Sequence, residues 1–194
     1  MPSTKAPRRL LPLLLAACAS SPTVPTPTFV AALADVPPHS EARLEFVDGE
    51  LVTVVAPVPP DLLPPSVRTT LLAVAPDGEI TFAGVEWGPR GRGYRIEKAY
   101  AEPLHRRSVL VDGDGAVLER AHTVPMPDVP QDVLAAAATK APRVEEAWIV
   151  SGPLHEEHWS VLVRERSGAA HLLRIGLDGR LVRAARRVAA RVDG

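Results

Sequence analysis

Residues 64–76 read PPSVRTTLLAVAP and residues 130–142 read PQDVLAAAATKAP. Each stretch opens on proline, carries valine in fourth place (Val67, Val133) and ends in Ala-Pro (Ala75-Pro76, Ala141-Pro142). Proline fits the first turn of a helix, where its missing N–H would be unpaired anyway, and stops a helix at the far end. Both stretches therefore predict a helix of about a dozen residues. Val67, Leu71, Leu72 and Ala75 recur at helical spacing in the first, and Asp128 is a candidate cap for the second.

The likeness continues outward. At an offset of 65, Tyr94 falls on Trp159 and Ile96 on Val161; at an offset of 64, Val109 falls on Leu173, Val111 on Ile175 and Asp114-Gly115 on Asp178-Gly179. Single-residue slips in expected hairpin loops are what a duplicated sequence accumulates. Four strand-like runs follow each helix: Glu79–Trp87, Gly93–Tyr100, His105–Val111 and Ala116–His122, then Val144–Ser151, Glu157–Arg164, Ala169–Gly176 and Arg180–Arg187. Trp159, Val161 and Val163 alternate with Ser160, Leu162 and Arg164, which marks a sheet with one buried face. Asp-Gly before the last run of each set is a tight-hairpin signal. A further hairpin, Ala42–Val47 and Leu51–Val55 around Asp48-Gly49, precedes the first set. The expected fold is α+β: two tandem units, each a helix plus a four-stranded antiparallel sheet, with the helices on one face. Residues 41–124 hold the hairpin and first unit, and 125–194 the second.

The order of proline-initiated helix ending in Ala-Pro, strand, Tyr/Trp-centred strand, and strand closing in Asp-x-Gly-hydrophobic-hydrophobic resembles the PepSY-like domains. The tandem arrangement is similar to β-lactamase-inhibitor-protein folds, over roughly residues 61–188. The resemblance implies helices on one side and a concave sheet face open to solvent. It also implies a non-catalytic role, since members are propeptide-like, inhibitory or extracytoplasmic binding modules.

The first residues carry an address. Lys5, Arg8 and Arg9 precede the apolar run Leu10–Ala17, which is far short of the ~20 residues that span a bilayer. That is a secretory signal, residues 1–17. Leu15-Ala16-Ala17-Cys18 ends in the single cysteine of the 194-residue chain and resembles the lipobox of bacterial lipoproteins. The resemblance implies cleavage before Cys18 and acylation of its sulfur; Ala19, where an inner-membrane retention Asp would stand, points to the outer membrane. Residues 18–40 are then a lipidated cysteine and a Ser/Thr/Pro-rich tether, too poor in apolar surface to fold alone. The expected place is the cell envelope, on the periplasmic side.

Composition narrows the function. With 46% hydrophobic and 23% charged residues the chain is globular, and its net charge of −1 gives no reason to expect nucleic acid. One cysteine excludes an intramolecular disulfide and a thiolate zinc site. Removing residues 1–17 leaves 19 Lys and Arg against 23 Asp and Glu, while residues 164–194 alone hold eight arginines and three acids. The basic stretch Arg180–Val192 reads either as a last, charge-protected edge strand or as a helix with Val182, Ala185, Ala189 and Val192 on one side.

No catalytic constellation emerges. His155-Glu156-Glu157-His158 has i, i+3 histidines beside Gly152-Pro153, not the helical i, i+4 pair of a zincin, so it reads as a solvated turn without metal. Gly88-Pro89-Arg90-Gly91-Arg92-Gly93 leads into a strand, not the helix a phosphate loop needs, and reads as a hairpin whose arginines could touch an acidic partner. His105 and His122 lie on neighbouring expected strands, where solvated strand ends are the simpler reading. No Gly-x-Ser-x-Gly elbow occurs. The chain is thus expected to be a non-enzymatic lipoprotein, without cofactor, that binds or inhibits another envelope protein, a peptidase among the candidates. The alternative is a structural or assembly subunit of an envelope complex. A transient binder should gather Trp87, Tyr100, Trp148 and His158 on one exposed patch, because interface hot spots are rich in aromatics.

Overall fold

The computed structural model describes residues 40–100 and 105–191; residues 1–17, Cys18 and nearly all of the tether lie outside them. Ten strands follow in order: β1 (Glu41–Val47), β2 (Glu50–Pro57), β3 (Glu79–Gly88), β4 (Gly91–Ala99), β5 (Arg106–Val111), β6 (Val117–Thr123), β7 (Arg143–Gly152), β8 (His155–Arg164), β9 (Ala170–Gly176) and β10 (Leu181–Arg191). Helix α1 (Pro65–Val74) joins β2 to β3, and α2 (Gln131–Ala138) joins β6 to β7.

Every strand pairs antiparallel with its neighbour in sequence, and β1 pairs with β10, so the sheet closes into one barrel. This corrects the expected fold class. There are not two α+β units with separate four-stranded sheets, because one pairing joins the sets directly and two more join them through the β1–β2 hairpin. β6 meets β7 from Arg120↔Ser151 to Thr123↔Trp148. β2 meets β3 from Val54↔Trp87 to Pro57↔Gly84. β1 meets β10 from Glu41↔Arg191 to Phe46↔Arg186. The physical reason lies in the hairpin that precedes the first helix. A strand order running from β3 to β10 leaves two edges with rows of unpaired N–H and C=O groups. The β1–β2 hairpin supplies a partner for each, and the twist natural to a sheet brings those edges round to it.

The internal repeat persists as an order of features within the one barrel. Val67 and Leu71 of α1 pack in a core with Ala83, Ile96, Val109 and Val111, while Val133 and Ala137 of α2 pack with Trp159, Val161, Leu173 and Ile175. Tyr94 and Trp159 both sit on the helix-covered side of the second strand after their helix. The two Asp-Gly turns lie against the helices as well. Ser66 Oγ donates to the Gly113 carbonyl at 2.8 Å and Thr70 Oγ1 to the Gly115 carbonyl at 2.7 Å. Gly179, at φ +76, would bring a Cβ within 2.8 Å of Asp132 on α2, so glycine is required there for backbone and space alike. At the other end of α1, buried Lys98 donates from Nζ to the Ala75 carbonyl at 2.7 Å, answering an unpaired helix-end carbonyl with a cation.

The tail resolves as strand, not helix, and as no edge: β10 is paired with β9 on one side and β1 on the other. The apolar clusters lie outside the strand wall, largely beneath the two helices, and the opposite faces of the strands turn inward. The concave face expected to be open to solvent is therefore rolled into the barrel interior. Among the described residues no helix is long and apolar enough to cross a membrane.

A charged barrel interior as the candidate site

Residues from all ten strands line an interior cavity of about 540 Å³. Alternation delivers them. Arg95 stands between outward Tyr94 and Ile96, and Glu86 between outward Val85 and Trp87. Seven arginines and five glutamates face this space. Burying so many ions is tolerable only if they pair, because an isolated charge in a poorly solvated site is costly.

They pair in three groups. Near the β3–β4 and β7–β8 hairpins, Arg95 donates through Nε and Nη2 to both Glu86 oxygens and through Nη2 to Glu119 at 3.0 Å. Its Nη1 reaches Ser108 Oγ at 3.3 Å, so that hydroxyl faces a cation and not a base. Arg90, from the β3–β4 turn, closes on the second Glu119 oxygen at 2.6 Å. Burial by itself raises the Glu119 carboxyl, but Arg95 and Arg90 outweigh it and pull it down to about 2. Burial likewise lowers Arg95, yet Glu86 and Glu119 leave it well above the ordinary arginine value. In the second group Glu97 reaches across the barrel to Arg43 of β1 at 3.3 Å and to Arg106 of β5 at 3.7 Å, and Arg106 also holds Glu146 at 2.5 Å. The third is Arg187 of β10 with Glu45 of β1 at 3.0 Å, an ion pair across the closing seam.

The sequence-chosen aromatic patch does not form. Trp87 is 7% exposed in the outer apolar cluster. Trp148 faces the interior, where its Nε1 donates to Glu146 at 3.1 Å and the Arg106 guanidinium lies 5.0 Å from its ring. His158 is also interior, 9% exposed. Tyr100 lines a separate cavity of about 730 Å³ on the outer side, which also takes in His105, His122 and Arg107. Only Trp148 and His158 share a surface, and it is the inside of the barrel.

The histidine cluster departs from the expected solvated turn. His155 and His158 begin strand β8 and both face the interior, their ring centroids 4.9 Å apart, while Glu156 and Glu157 are exposed. An irregularity in the β7–β8 pairing between Val150 and Gly152 permits two residues three apart to share a face. Each ring donates Nδ1–H to the Glu156 carbonyl, at 3.1 and 3.0 Å, and His155 Nε2 stands 3.6 Å from Glu119. Burial, joined by the charge of Arg174, holds His158 below the ordinary histidine range. The glycine-rich turn is the expected hairpin, but Arg90 turns back onto the protein's own Glu119 and not toward a partner.

Sequence reading missed Glu86, Arg95, Glu97, Arg106, Glu119 and Glu146. Their only signal was a charged residue at the non-core phase of each strand, which a solvent-facing sheet shows equally.

Fold and site together define a closed ten-stranded antiparallel barrel with an ion-paired interior and two short outer helices. No known protein-family profile matches the chain, and no curated protein matches it by sequence. Among solved structures it is similar to a protein from Bacteroides eggerthii described as periplasmic, at 15% identity and TM-score 0.49, covering 63% of this chain and 88% of that one. It is also similar to a DUF2874 family protein from Bacteroides uniformis, at 19% and 0.48, covering 63% and 88%. A third is a BLIP-like protein from Bacteroides fragilis, at 18% and 0.44, covering 66% and 87%. The BLIP-like neighbour matches the β-lactamase-inhibitor-like part of the resemblance, and none of the three bears on its PepSY-like or lipoprotein parts. At such scores the likeness carries no argument about what this chain binds.

Proposed function

We propose that the chain is a non-catalytic lipoprotein of the cell envelope, anchored through Cys18, whose barrel binds an extracytoplasmic partner or ligand at the hairpin end of its charged interior. The observation that carries this reading is the solvent-connected cavity of about 540 Å³, which retains both room and polar side chains after the internal ion pairs are made. Arg90 and Leu154, on the β3–β4 and β7–β8 turns, both border it, and Leu154 is 65% exposed, a large apolar side chain held at a polar mouth. A non-enzymatic role fits the lone cysteine and Ser108, whose hydroxyl faces Arg95. The proposal requires no cofactor, metal or nucleic acid. Acyl chains on Cys18, at ~0.8 kcal/mol per buried methylene, would hold the barrel to the membrane without a spanning helix.

A structural role in an envelope assembly is the second reading. It is favoured by the ion pairs that cross the barrel, Arg43–Glu97 among them, since these pin opposite walls together. One experiment in intact envelopes separates the two. A photo-crosslinking residue at Leu154 should give adducts, whereas the same residue at Leu72, exposed on the outer helix, should not. Adducts from Leu72 alone would favour the assembly role. Cys18→Ser should move the protein from the membrane fraction to the soluble one; a variant that is cleaved and still membrane-bound would reject the anchor.

A further inference from the structure

We infer that Arg174 and Arg183, with Ser160 and His158 beside them, form a subsite in the barrel interior for a doubly charged oxyanion of the phosphate class. The inference rests on the interior being the ligand-bearing surface and names what that surface holds. Of the seven arginines facing the cavity, five have a glutamate partner, and the five glutamates are used up in doing so. The two left over are Arg174 and Arg183, whose side chains make no hydrogen bond or ion pair among the described residues. They are not scattered. Arg183 of β10 is the direct register partner of Arg174 of β9. Two like charges placed so, with Cβ atoms about 5 Å apart, repel and destabilise the pair of strands.

The backbone goes out of its way to create this juxtaposition. Leu181 pairs with Ile175 and faces the outer core, yet Arg183, two residues on, pairs with Arg174 and faces the interior. Residues two apart on a regular strand share a face. The register shift between Leu181 and Arg183 reverses the phase and leaves Val182 62% exposed. Bulges that re-aim a side chain cluster next to binding sites. Without this one, Arg183 would point outward and the repulsion would vanish.

Two uncompensated guanidinium groups call for two negative charges, and guanidinium forks match phosphate oxygens in bidentate fashion. Ser160, the register partner of Arg174 on β8, adds a hydroxyl on the same face. His158 already gives its Nδ1 proton to the Glu156 carbonyl, so the neutral ring presents Nε2 as an acceptor, the complement of the P–OH of a hydrogen phosphate dianion.

Thermal melting of the full chain tests this directly. Inorganic phosphate, titrated at constant ionic strength against chloride, should raise Tm along a saturating curve, because a ligand that binds the folded state stabilises it. Acetate, a monoanion, should bind at least tenfold more weakly. Arg183→Gln and Arg174→Gln should each weaken the phosphate response at least tenfold while leaving the phosphate-free Tm unchanged or higher. No saturable rise with phosphate, an equal response to acetate, or an unaltered response in both variants would overturn the subsite. Crosslinking from Leu154 is read independently, so loss of the phosphate response with those adducts intact rejects the anion and leaves the binding role standing.

Discussion

Arg95→Ala is expected to lower the unfolding free energy at pH 7 by about 3–5 kcal/mol, the cost of breaking a buried pair from one side. The loss comes from what remains: Glu86 and Glu119 would keep their charges inside the barrel, with Glu119 left to Arg90 alone. A solvent-facing Arg95, as the alternation suggests, would cost within about 0.5 kcal/mol. The pH dependence separates the two further. The Glu119 carboxyl is held at about 2 in the folded protein against an ordinary 4.5. A depressed folded value contributes stability that is complete above the unfolded value and is lost as pH falls through the folded one. Without Arg95 that depression shrinks, so the difference between wild type and variant should narrow between pH 5 and pH 2. Urea unfolding across this range checks it; a gap that is small at pH 7, or constant with pH, would contradict the network.

Trp159→Ala should cost about 3–5 kcal/mol, the usual range for emptying an aromatic site in a core. Trp159 is 5% exposed and lies in the cluster that α2 covers through Val133 and Ala137. Its repeat counterpart Tyr94 is half-buried between two clusters, so Tyr94→Ala should cost less. Ser160, one place along β8, faces roomy interior, and Ser160→Ala should stay within about 0.5 kcal/mol. A Trp159→Ala cost under about 1 kcal/mol would mean that α2 does not seal this face.

Much of the local structure was legible because local chemistry decides it. The Asp-Gly pairs mark hairpins, the prolines bracket both helices, and the run Glu79–Trp87 falls one residue short of β3. Closure was not legible. Glu45 and Arg187 meet across 142 residues of sequence, and nothing near either announces the other. The charged interior was hidden for a different reason. Period-2 alternation says that Arg95 and Tyr94 face opposite ways, but not whether the side away from the core meets water or the other wall of a barrel. The bulge at Val182 defeats even the phase, since Leu181 and Arg183 read as neighbours on one face. The aromatics mislead because Trp87, Tyr100 and Trp148 carry no mark of a shared surface, and a large ring fits a core, a cavity wall or an interior cation equally well.

The central claim is that the sheet closes, since only closure makes the Arg-and-Glu face an interior. Residue-resolved amide hydrogen exchange on β1 and β10 tests it most directly, because an edge strand leaves every second N–H without a partner. The barrel predicts that amides of Glu41–Phe46 and Arg186–Arg191 directed across the β1–β10 seam are protected to a degree comparable with those of central β4. An open sheet would show alternate amides on both strands exchanging at the rate of unpaired backbone while their neighbours stay protected, and that pattern would contradict the account.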